Sequence, residues 1–195
     1  MESVKISVVV TVLDEEKSIG SLLNSLLGQS RKADEIIVVD GGSTDKTVQI
    51  IKHYQKKDKK IKLLQEKGNI AHGRNTGIEV ARHDIIATTD AGCIPHPDWL
   101  EKITHPFERI HPRGVHAATS WESAERQESP SPSEESSVGL VAGFYEMPTR
   151  TPMQKAVSVF LGIPSERYDP ATFLPSTRSV AFKKQLWEKV GGFNE

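Results

Sequence analysis

The alternation of buried-strand and amphipathic-helix patterns is the feature that most constrains the fold of this chain. The apolar, β-branched runs KISVVVTVL, DEIIVVDGGSTD, KIKLLQE and DIIATTD predict strands, the second of which ends in a glycine turn. Helical spacing of apolar residues predicts helices over 17–30, 46–57, 69–83 and 97–110. Strands that are apolar over nearly their whole length, alternating with helices, indicate a parallel sheet covered on both faces. We therefore predict a doubly wound α/β fold with a mostly parallel sheet of Rossmann-like type.

Local signals refine these helices and extend the pattern to the end of the chain. Ser43, Thr44 or Asp45 is expected to cap the second helix, and Ile70, Ile78 and Ala81 are expected to face inward from the third. Beyond residue 114 the pattern is weaker, and it predicts a strand at 114–121, a helix at 151–164, a strand at 176–184 and a short helix ended by Gly191 and Gly192. Residues 122–137 are rich in Ser, Glu and Pro, which predicts a mobile loop within a single domain spanning 1–195.

Charge and cysteine content exclude several classes of protein. A net charge of −1 gives no basis for a nucleic-acid partner. One cysteine cannot form an internal disulfide, and the histidines lack metal-ligand spacing. The first residues lack the features of a signal peptide, and their apolar run is too short to span a bilayer. We expect a cytoplasmic protein, and peripheral association with the inner face of the membrane stays open.

Three predicted strands end in a polar side chain. These are Thr11 after the first strand, Asp40 after the second and Asp90 after the fourth. In doubly wound sheets, ligands bind at the carboxyl ends of the strands, near the point where the strand order reverses. Each aspartate alone has a structural interpretation, Asp40 as a turn residue and Asp90 as a cap, but their convergence predicts a binding site.

Two further polar groups suit an anionic or sugar ligand. Arg74, at the start of the third helix, could grip a diphosphate with its guanidinium or lie solvated. Ser176 and Arg178 precede a predicted strand, where they suit phosphate or sugar, or simply form a loop. Neither GxGxxG nor a Walker loop is present, which disfavours a nicotinamide-type dinucleotide fold and a P-loop.

Three segments in combination resemble the family 2 glycosyltransferases. They are the opening ISVVVTVLDEEKSIGSLLNSLLGQS with DEIIVVDGGSTDKT, the block GRNTGIEVARHDIIATTDAGC, and LPSTRSVAFKKQLWEKVGGF. The resemblance implies a glycosyltransferase A-type fold that binds a nucleotide-diphospho-sugar. It implies transfer of the sugar to a glycan or a lipid-linked acceptor, with inversion, as in polysaccharide biosynthesis.

The resemblance also assigns residues. It implies a donor-binding set consisting of Thr11, Leu13, Glu15, Asp40, Gly41, Arg74, Asp90 and Ala91. Ser176 and Arg178 are expected on the acceptor or phosphate side. Asp90 matches the first position of the family's Asp-x-Asp motif, so it is the expected ligand of Mg²⁺ or Mn²⁺. Alternatively, Arg74 and Arg178 replace the metal.

Two departures from the family pattern leave other functions open. Gly92 replaces the second Asp of the motif, and the acidic motif that carries the general base is expected beyond Glu195. Glu195 itself, as a terminal residue, is not expected to be held in place. Both departures favour an inactive nucleotide-sugar-binding module as the alternative. A sugar nucleotidyltransferase is less favoured, because the glycine- and lysine-rich activation loop of that class is missing near the N-terminus.

Overall fold

A computed structural model of the chain describes residues 4–108, 138–143 and 177–195, and these contain six strands and five helices. In chain order the elements are β1 (Ile6–Val12), α1 (Ile19–Leu27), β2 (Glu35–Asp40), α2 (Thr47–Lys57), β3 (Ile61–Gln65), α3 (Ile70–Glu79), β4 (Ile85–Thr88), α4 (Trp99–Glu108), β5 (Leu140–Ala142), β6 (Val180–Lys183) and α5 (Lys184–Val190). No helix in these three ranges is long and apolar enough to cross a membrane.

The strands form one sheet in the order β3-β2-β1-β4-β6-β5. β1 pairs in parallel with both β2 and β4, and β2 pairs in parallel with β3. β6 runs antiparallel to its neighbours β4 and β5. The predicted α/β fold with a mostly parallel sheet is therefore confirmed. The chain moves outward from β1 to β3 and then returns to the other side of β1, so the strand order reverses between β1 and β4.

Helices cover both faces of the sheet. The crossovers from β1 to β3 and the crossover from β3 to β4 run in opposite directions along the sheet, and right-handed crossovers then place their helices on opposite faces. Val8 and Val10 of β1 face the cluster that contains Leu22 of α1 and Leu100 of α4. The intervening Val9 belongs to the opposite cluster, which contains Ile78 of α3 and, at its margin, Trp187 of α5. This alternation of side chains along β1 builds two cores from a single strand.

Two glycines bring α3 unusually close to the sheet. A Cβ on Gly77 would lie 2.5 Å from Val9 Cγ1, and one on Gly73 would lie 3.0 Å from Thr11 Cγ2. Larger residues would hold the helix away from β1. The prediction that Ile70 faces inward is wrong, because Ile70 is 57% exposed. Ile70 is the first residue of α3 and lies one turn before Gly73, which packs against Thr11 near the end of β1. Ile70 therefore projects beyond the edge of the sheet.

The later elements agree only in part with the sequence analysis. Gly191 ends α5 in the left-handed conformation (φ 78°), as predicted for a glycine stop. Strand β5 was not predicted, because three apolar residues between Gly139 and Gly143 are too short a pattern to separate from a loop. The strand predicted at 114–121, the loop at 122–137 and the helix at 151–164 lie outside the described residues.

Candidate active site at the carboxyl edge of the sheet

Asp90 lies between two arginines. Arg74 Nη2 donates to Asp90 Oδ1 at 2.7 Å, and Arg178 Nε donates to Asp90 Oδ2 at 3.3 Å. The Arg74 side chain is only 12% exposed, whereas Asp90 is 27% and Arg178 40% exposed. Two guanidinium groups therefore meet at one carboxylate that is partly open to solvent, and guanidinium groups suit an anionic ligand.

Separate parts of the chain position the three side chains. Arg74 lies on α3 one residue after Gly73, so the close approach of that helix fixes its height above the sheet. Asp90 follows β4 two residues beyond Thr88, whose register partner in β1 is Val9, so it lies near the level of Thr11. Thr88 Oγ1 donates to the Thr177 carbonyl at 2.8 Å, which ties the Arg178 segment to the same edge.

Asp40 is fully buried at the end of β2 and serves the turn that follows it. Its carboxylate accepts the backbone N–H groups of Gly42 (3.3 Å) and Ser43 (3.2 Å), and Gly42 takes a positive φ of 105°. This geometry matches the turn-stabilising interpretation that the sequence left open. A direct role for Asp40 in donor binding stays a prediction.

The β1–α1 loop is joined to the β2–α2 loop by side-chain contacts that the sequence did not reveal. The Asp14 carboxylate accepts the Thr44 N–H at 2.7 Å, and the Ser43 hydroxyl accepts the Asp14 N–H at 2.9 Å. Asp14 takes a positive φ of 52°, which asparagine and aspartate tolerate better than most residues. These contacts hold the β1–α1 loop and the β2–α2 loop next to each other beside Gly41.

The N-terminus of α2 also differs in detail from the prediction. Asp45 Oδ1 accepts the Thr47 N–H at 2.9 Å, while the boundary residue itself is Lys46. The predicted capping side chain is therefore wrong: Lys46 occupies the N-cap position without a side-chain cap hydrogen bond, and Asp45 forms a turn with Thr47 instead.

The remaining predicted donor residues differ in their access to a ligand. Leu13 is 57% exposed and lies next to Gly41, so the pair offers an apolar surface at this edge. Ala91 is buried. The Glu15 carboxylate accepts the Ser18 hydroxyl at the start of α1 and so faces its own helix. Ser176 lies outside the described residues.

Asn75, on α3, acts as a structural hydrogen-bonding residue. Its Oδ1 accepts the Phe193 N–H (2.8 Å) and the Trp187 indole N–H (3.1 Å), and its Nδ2 donates to the Phe193 carbonyl (2.9 Å). The Arg74 guanidinium lies 5.9 Å from the centre of the Phe193 ring, within cation–π range. Asn75 thus fastens the segment after α5 beside the arginine of the site.

The expectation that Glu195 is not held in place is wrong. Its carboxylate accepts from Asn75 Nδ2 at 3.0 Å and lies 3.1 Å from His72 Nδ1. The hydrogen bond to Glu195 raises the pKa of His72, and hydrogen bonds from Asn75 and His72 lower the pKa of Glu195. The two groups therefore stabilise each other's charged forms.

The described residues do not form a metal site by themselves. Over 4–108, 138–143 and 177–195, no group of three or more His, Cys, Asp or Glu side chains could hold a metal ion. Both oxygens of Asp90 are engaged by arginine, and Gly92 has open space where a second carboxylate would stand. Nearby, burial raises the pKa of the Cys93 thiol, which argues against a thiolate nucleophile.

The fold and this edge define the class to which the chain belongs. The structure matches a mannosyltransferase from Pyrobaculum calidifontis, solved in complex with GDP-Man and Mn²⁺, with a TM-score of 0.65 and 22% identity over 97% of this chain and 47% of that one. This likeness shows a glycosyltransferase A-type fold.

The family follows from the sequence comparison. The profile "Glycosyl transferase family 2" matches residues 7–162, and the chain belongs to that family. The chain is 34% identical over 102 residues to glycosyltransferase AglE of Haloferax volcanii, a match that covers 50% of this chain and 33% of AglE.

A second curated relative carries the name of a specific transferase. The chain is 34% identical over 110 residues to a dolichyl N-acetyl-alpha-D-glucosaminyl phosphate 3-beta-D-2,3-diacetamido-2,3-dideoxy-beta-D-glucuronosyltransferase of Methanococcus voltae. This match covers 54% of the present chain and 34% of the relative. The chain therefore spans about a third of the length of these curated relatives.

Proposed function

We propose that this chain is the donor-binding part of a glycosyltransferase that binds a nucleotide-diphospho-sugar at the carboxyl edge of the sheet. The observation that carries the proposal is Asp90 held between Arg74 and Arg178 beside the point where the strand order reverses. Membership of glycosyl transferase family 2 and the GDP-Man bound to the Pyrobaculum relative support it. The sugar passes to a glycan or a lipid-linked acceptor, with inversion, and the dolichyl-phosphate substrate named for the Methanococcus relative favours the lipid-linked class.

Each residue of the edge has a role in this proposal. Leu13 and Gly41 pack against the base, and Asp90 orients the two guanidinium groups and accepts a ribose hydroxyl. Arg74 and Arg178 bind the diphosphate, on which negative charge grows as the bond to the sugar breaks. Stabilising that charge lowers the barrier more than it stabilises the bound donor.

Transfer also requires a general base that removes the proton of the acceptor hydroxyl. The family resemblance places this base beyond Glu195, and it places Ser176 on the acceptor side. Donor binding is therefore tested on this chain separately from sugar transfer.

We further propose that the two arginines supply most of the cationic charge for the leaving diphosphate. Asp90 alone offers at most two carboxylate oxygens, both already engaged by arginine. The alternative is that Asp90 binds Mg²⁺ or Mn²⁺ together with the donor's phosphates, as the Mn²⁺ in the Pyrobaculum complex favours. The two alternatives differ in whether a nucleoside diphosphate binds without metal.

Calorimetry with UDP, GDP and dTDP, each with and without Mn²⁺, tests both statements. One nucleotide is expected to bind without metal. Loss of a charge-assisted hydrogen bond, about 1.5–3 kcal/mol, predicts about 10- to 100-fold weaker binding for Arg74→Gln. Asp98→Asn is the matched control for Asp90→Asn, because Asp98 also pairs with a cation, Lys102, but lies before α4.

The outcomes are distinct. Equal losses in Asp90→Asn and Asp98→Asn would contradict the proposed site, and binding that requires Mn²⁺ in the parent chain would replace the arginine mechanism with the metal one. Gly92→Asp adds the missing carboxylate where nothing lies within 4 Å of a Cβ. It is expected to fold normally and to make nucleotide binding respond to Mn²⁺.

A second candidate is an inactive binding module, which Gly92 favours because it removes a carboxylate of the family motif. This candidate predicts nucleotide binding of the same strength and no sugar transfer. Detection of a glycosylated acceptor would reject it.

A further inference from the structure

The second half of α2 and the turn into β3 carry a concentration of lysine that the proposed site does not use. Residues 52–62 contain six lysines and one aspartate, although the chain as a whole has a net charge of −1. Lys62 pairs with the buried Glu35 and is excluded. The other five are exposed, and we call them the lysine patch: Lys52, Lys56, Lys57, Lys59 and Lys60.

The patch differs from an ordinary solvated helix surface, on which acids and bases are interspersed. Helix α2 contains no acidic residue, whereas on α4 Lys102 pairs with Asp98. Within the described part of the chain, no patch lysine forms an ion pair with a carboxylate. Asp58, the one acid nearby, accepts the Lys60 backbone N–H. Like charges crowded in this way destabilise a fold slightly, so a partner that neutralises them gains that energy.

The patch lies at the opposite edge of the sheet from the proposed donor site. Helix α2 starts after the carboxyl end of β2 and ends before β3, whose first residue, Ile61, pairs with Ile36 at the start of β2. Three patch lysines, together with Gln55 and Ile61, line a shallow depression there. A flat anionic surface could therefore contact the patch while Asp90 remains open to the aqueous phase.

We propose that the lysine patch docks the protein on the anionic surface of a lipid bilayer. Lysine ammonium groups act as hydrated point charges that suit a diffuse field of phosphates, whereas base-reading surfaces use arginine forks and aromatic platforms. The aromatic Tyr54 is half-buried, and Lys57 Nζ already lies over its ring, 5.9 Å from the centre. His53 is the one exposed aromatic ring of residues 52–62, and these residues include no arginine. These features favour a membrane over a nucleic acid.

The contact is purely electrostatic. The described large apolar side chains that are exposed all lie outside residues 52–62: Leu13, Ile70, Val80, Ile94, Leu140, Leu186 and Val190. Nothing in the patch can insert into the acyl region, so binding depends on surface charge alone and weakens within a Debye length, about 8 Å at physiological salt. Docking is therefore reversible and steeply dependent on salt.

Vesicle co-sedimentation of the full chain tests the proposal. Vesicles of phosphatidylglycerol and phosphatidylcholine are expected to bind at low salt and to release the protein at about 0.5 M salt. Pure phosphatidylcholine vesicles are expected not to bind. Lys52→Gln, Lys56→Gln and Lys59→Gln combined should weaken binding about 100-fold, since each lysine near the surface contributes about 1 kcal/mol.

The matched control removes the same charge elsewhere, with Lys17→Gln, Lys102→Gln and Lys189→Gln combined. It should retain most of the binding. Equal losses in the two triple variants would mean that only net charge matters, and this would overturn the proposal. Tighter binding of polyuridylate than of the anionic vesicles at equal salt would overturn it in favour of a nucleic acid. Circular dichroism checks that both triple variants are folded. Both are expected to bind the nucleotide as the parent chain does, so a change in vesicle binding can be told apart from a failure of the proposed donor site.

Discussion

Glu35 allows a quantitative test of how buried charge stabilises the fold. It lies at the start of β2 with no solvent exposure, and its carboxylate accepts from Ser7 Oγ (2.8 Å), the Arg82 backbone N–H (3.0 Å) and Arg82 Nε (2.9 Å). Lys62 Nζ lies 2.5 Å away. Burial by itself raises the pKa of Glu35, but the hydrogen bonds from Lys62, Arg82 and Ser7 outweigh it and lower the pKa from 4.5 to about 2.

The direction of the pH effect follows from these two values. Because the folded-state pKa is below the unfolded one, ionised Glu35 stabilises the protein above pH 4.5, and this contribution is lost as the pH falls towards about 2. The difference corresponds to at most about 3 kcal/mol, since Lys62 and Arg82 are partly exposed and so partly screened. About 2 kcal/mol of it should disappear between about pH 6 and 3.

Urea unfolding of the parent chain and of Glu35→Gln, followed by circular dichroism across this pH range, measures the effect. The stability advantage of the parent over Glu35→Gln should shrink by about 2 kcal/mol as the pH falls. Glu79→Gln, which alters an exposed carboxyl group, should follow the parent at every pH. Parallel curves for the parent and Glu35→Gln would refute the reasoning, because they would show that Glu35 titrates alike in the folded and unfolded chains.

Three further predictions concern α3 and its contacts. Gly77→Ala should destabilise the protein by about 1–3 kcal/mol in urea unfolding and weaken nucleotide binding in calorimetry, because the added Cβ would lie 2.5 Å from a side chain of β1. The control Gly20→Ala should not destabilise the protein, because its added Cβ would lie 3.7 Å from the nearest atom. Asn75→Ala should cost about 2 kcal/mol in the same unfolding assay, since it removes hydrogen bonds to the segment after α5; an unchanged midpoint would contradict this. By NMR, the pKa of His72 should lie above 6.5 in the parent and closer to 6.5 in Glu195→Gln, because the hydrogen bond to Glu195 stabilises the charged imidazole and this contribution to stability is lost as the pH rises through the raised pKa. Identical titration midpoints in the two proteins would exclude the His72–Glu195 contact.

The sequence predicted those features of the fold that depend on periodicity. The four parallel strands and the helices between them follow from apolar patterns that local physics can interpret. Asp90 lies two residues after β4, close to the strand end where the sequence predicted it. Strand β5 was missed, since its three residues are defined by pairing with β6 and not by pattern. Ile70 was misplaced, because its exposure depends on where the sheet ends.

The contacts of the site depend on tertiary structure more than the strands and helices do. That Asp90 joins Arg74 and Arg178, 16 and 88 residues away, could not be read from spacing. Asn75 and Glu195 are 120 residues apart, and their hydrogen bond forms only because α3 and α5 pack on the same face of the sheet, so the sequence alone does not predict it. Distant pairs of this kind require the topology first.

Asp90 explains how two arginines come to lie together at this edge of the sheet. Arg74 belongs to a helix on one face of the sheet, and Arg178 belongs to the segment that enters β6. The carboxylate between them offsets the repulsion between their like charges. In the proposed donor complex, the diphosphate brings more negative charge than Asp90 and takes over one hydrogen bond from each arginine without moving either far. Preorganisation of this kind lowers the cost of binding, and in the proposed reaction it places the cations where the leaving group becomes most negative.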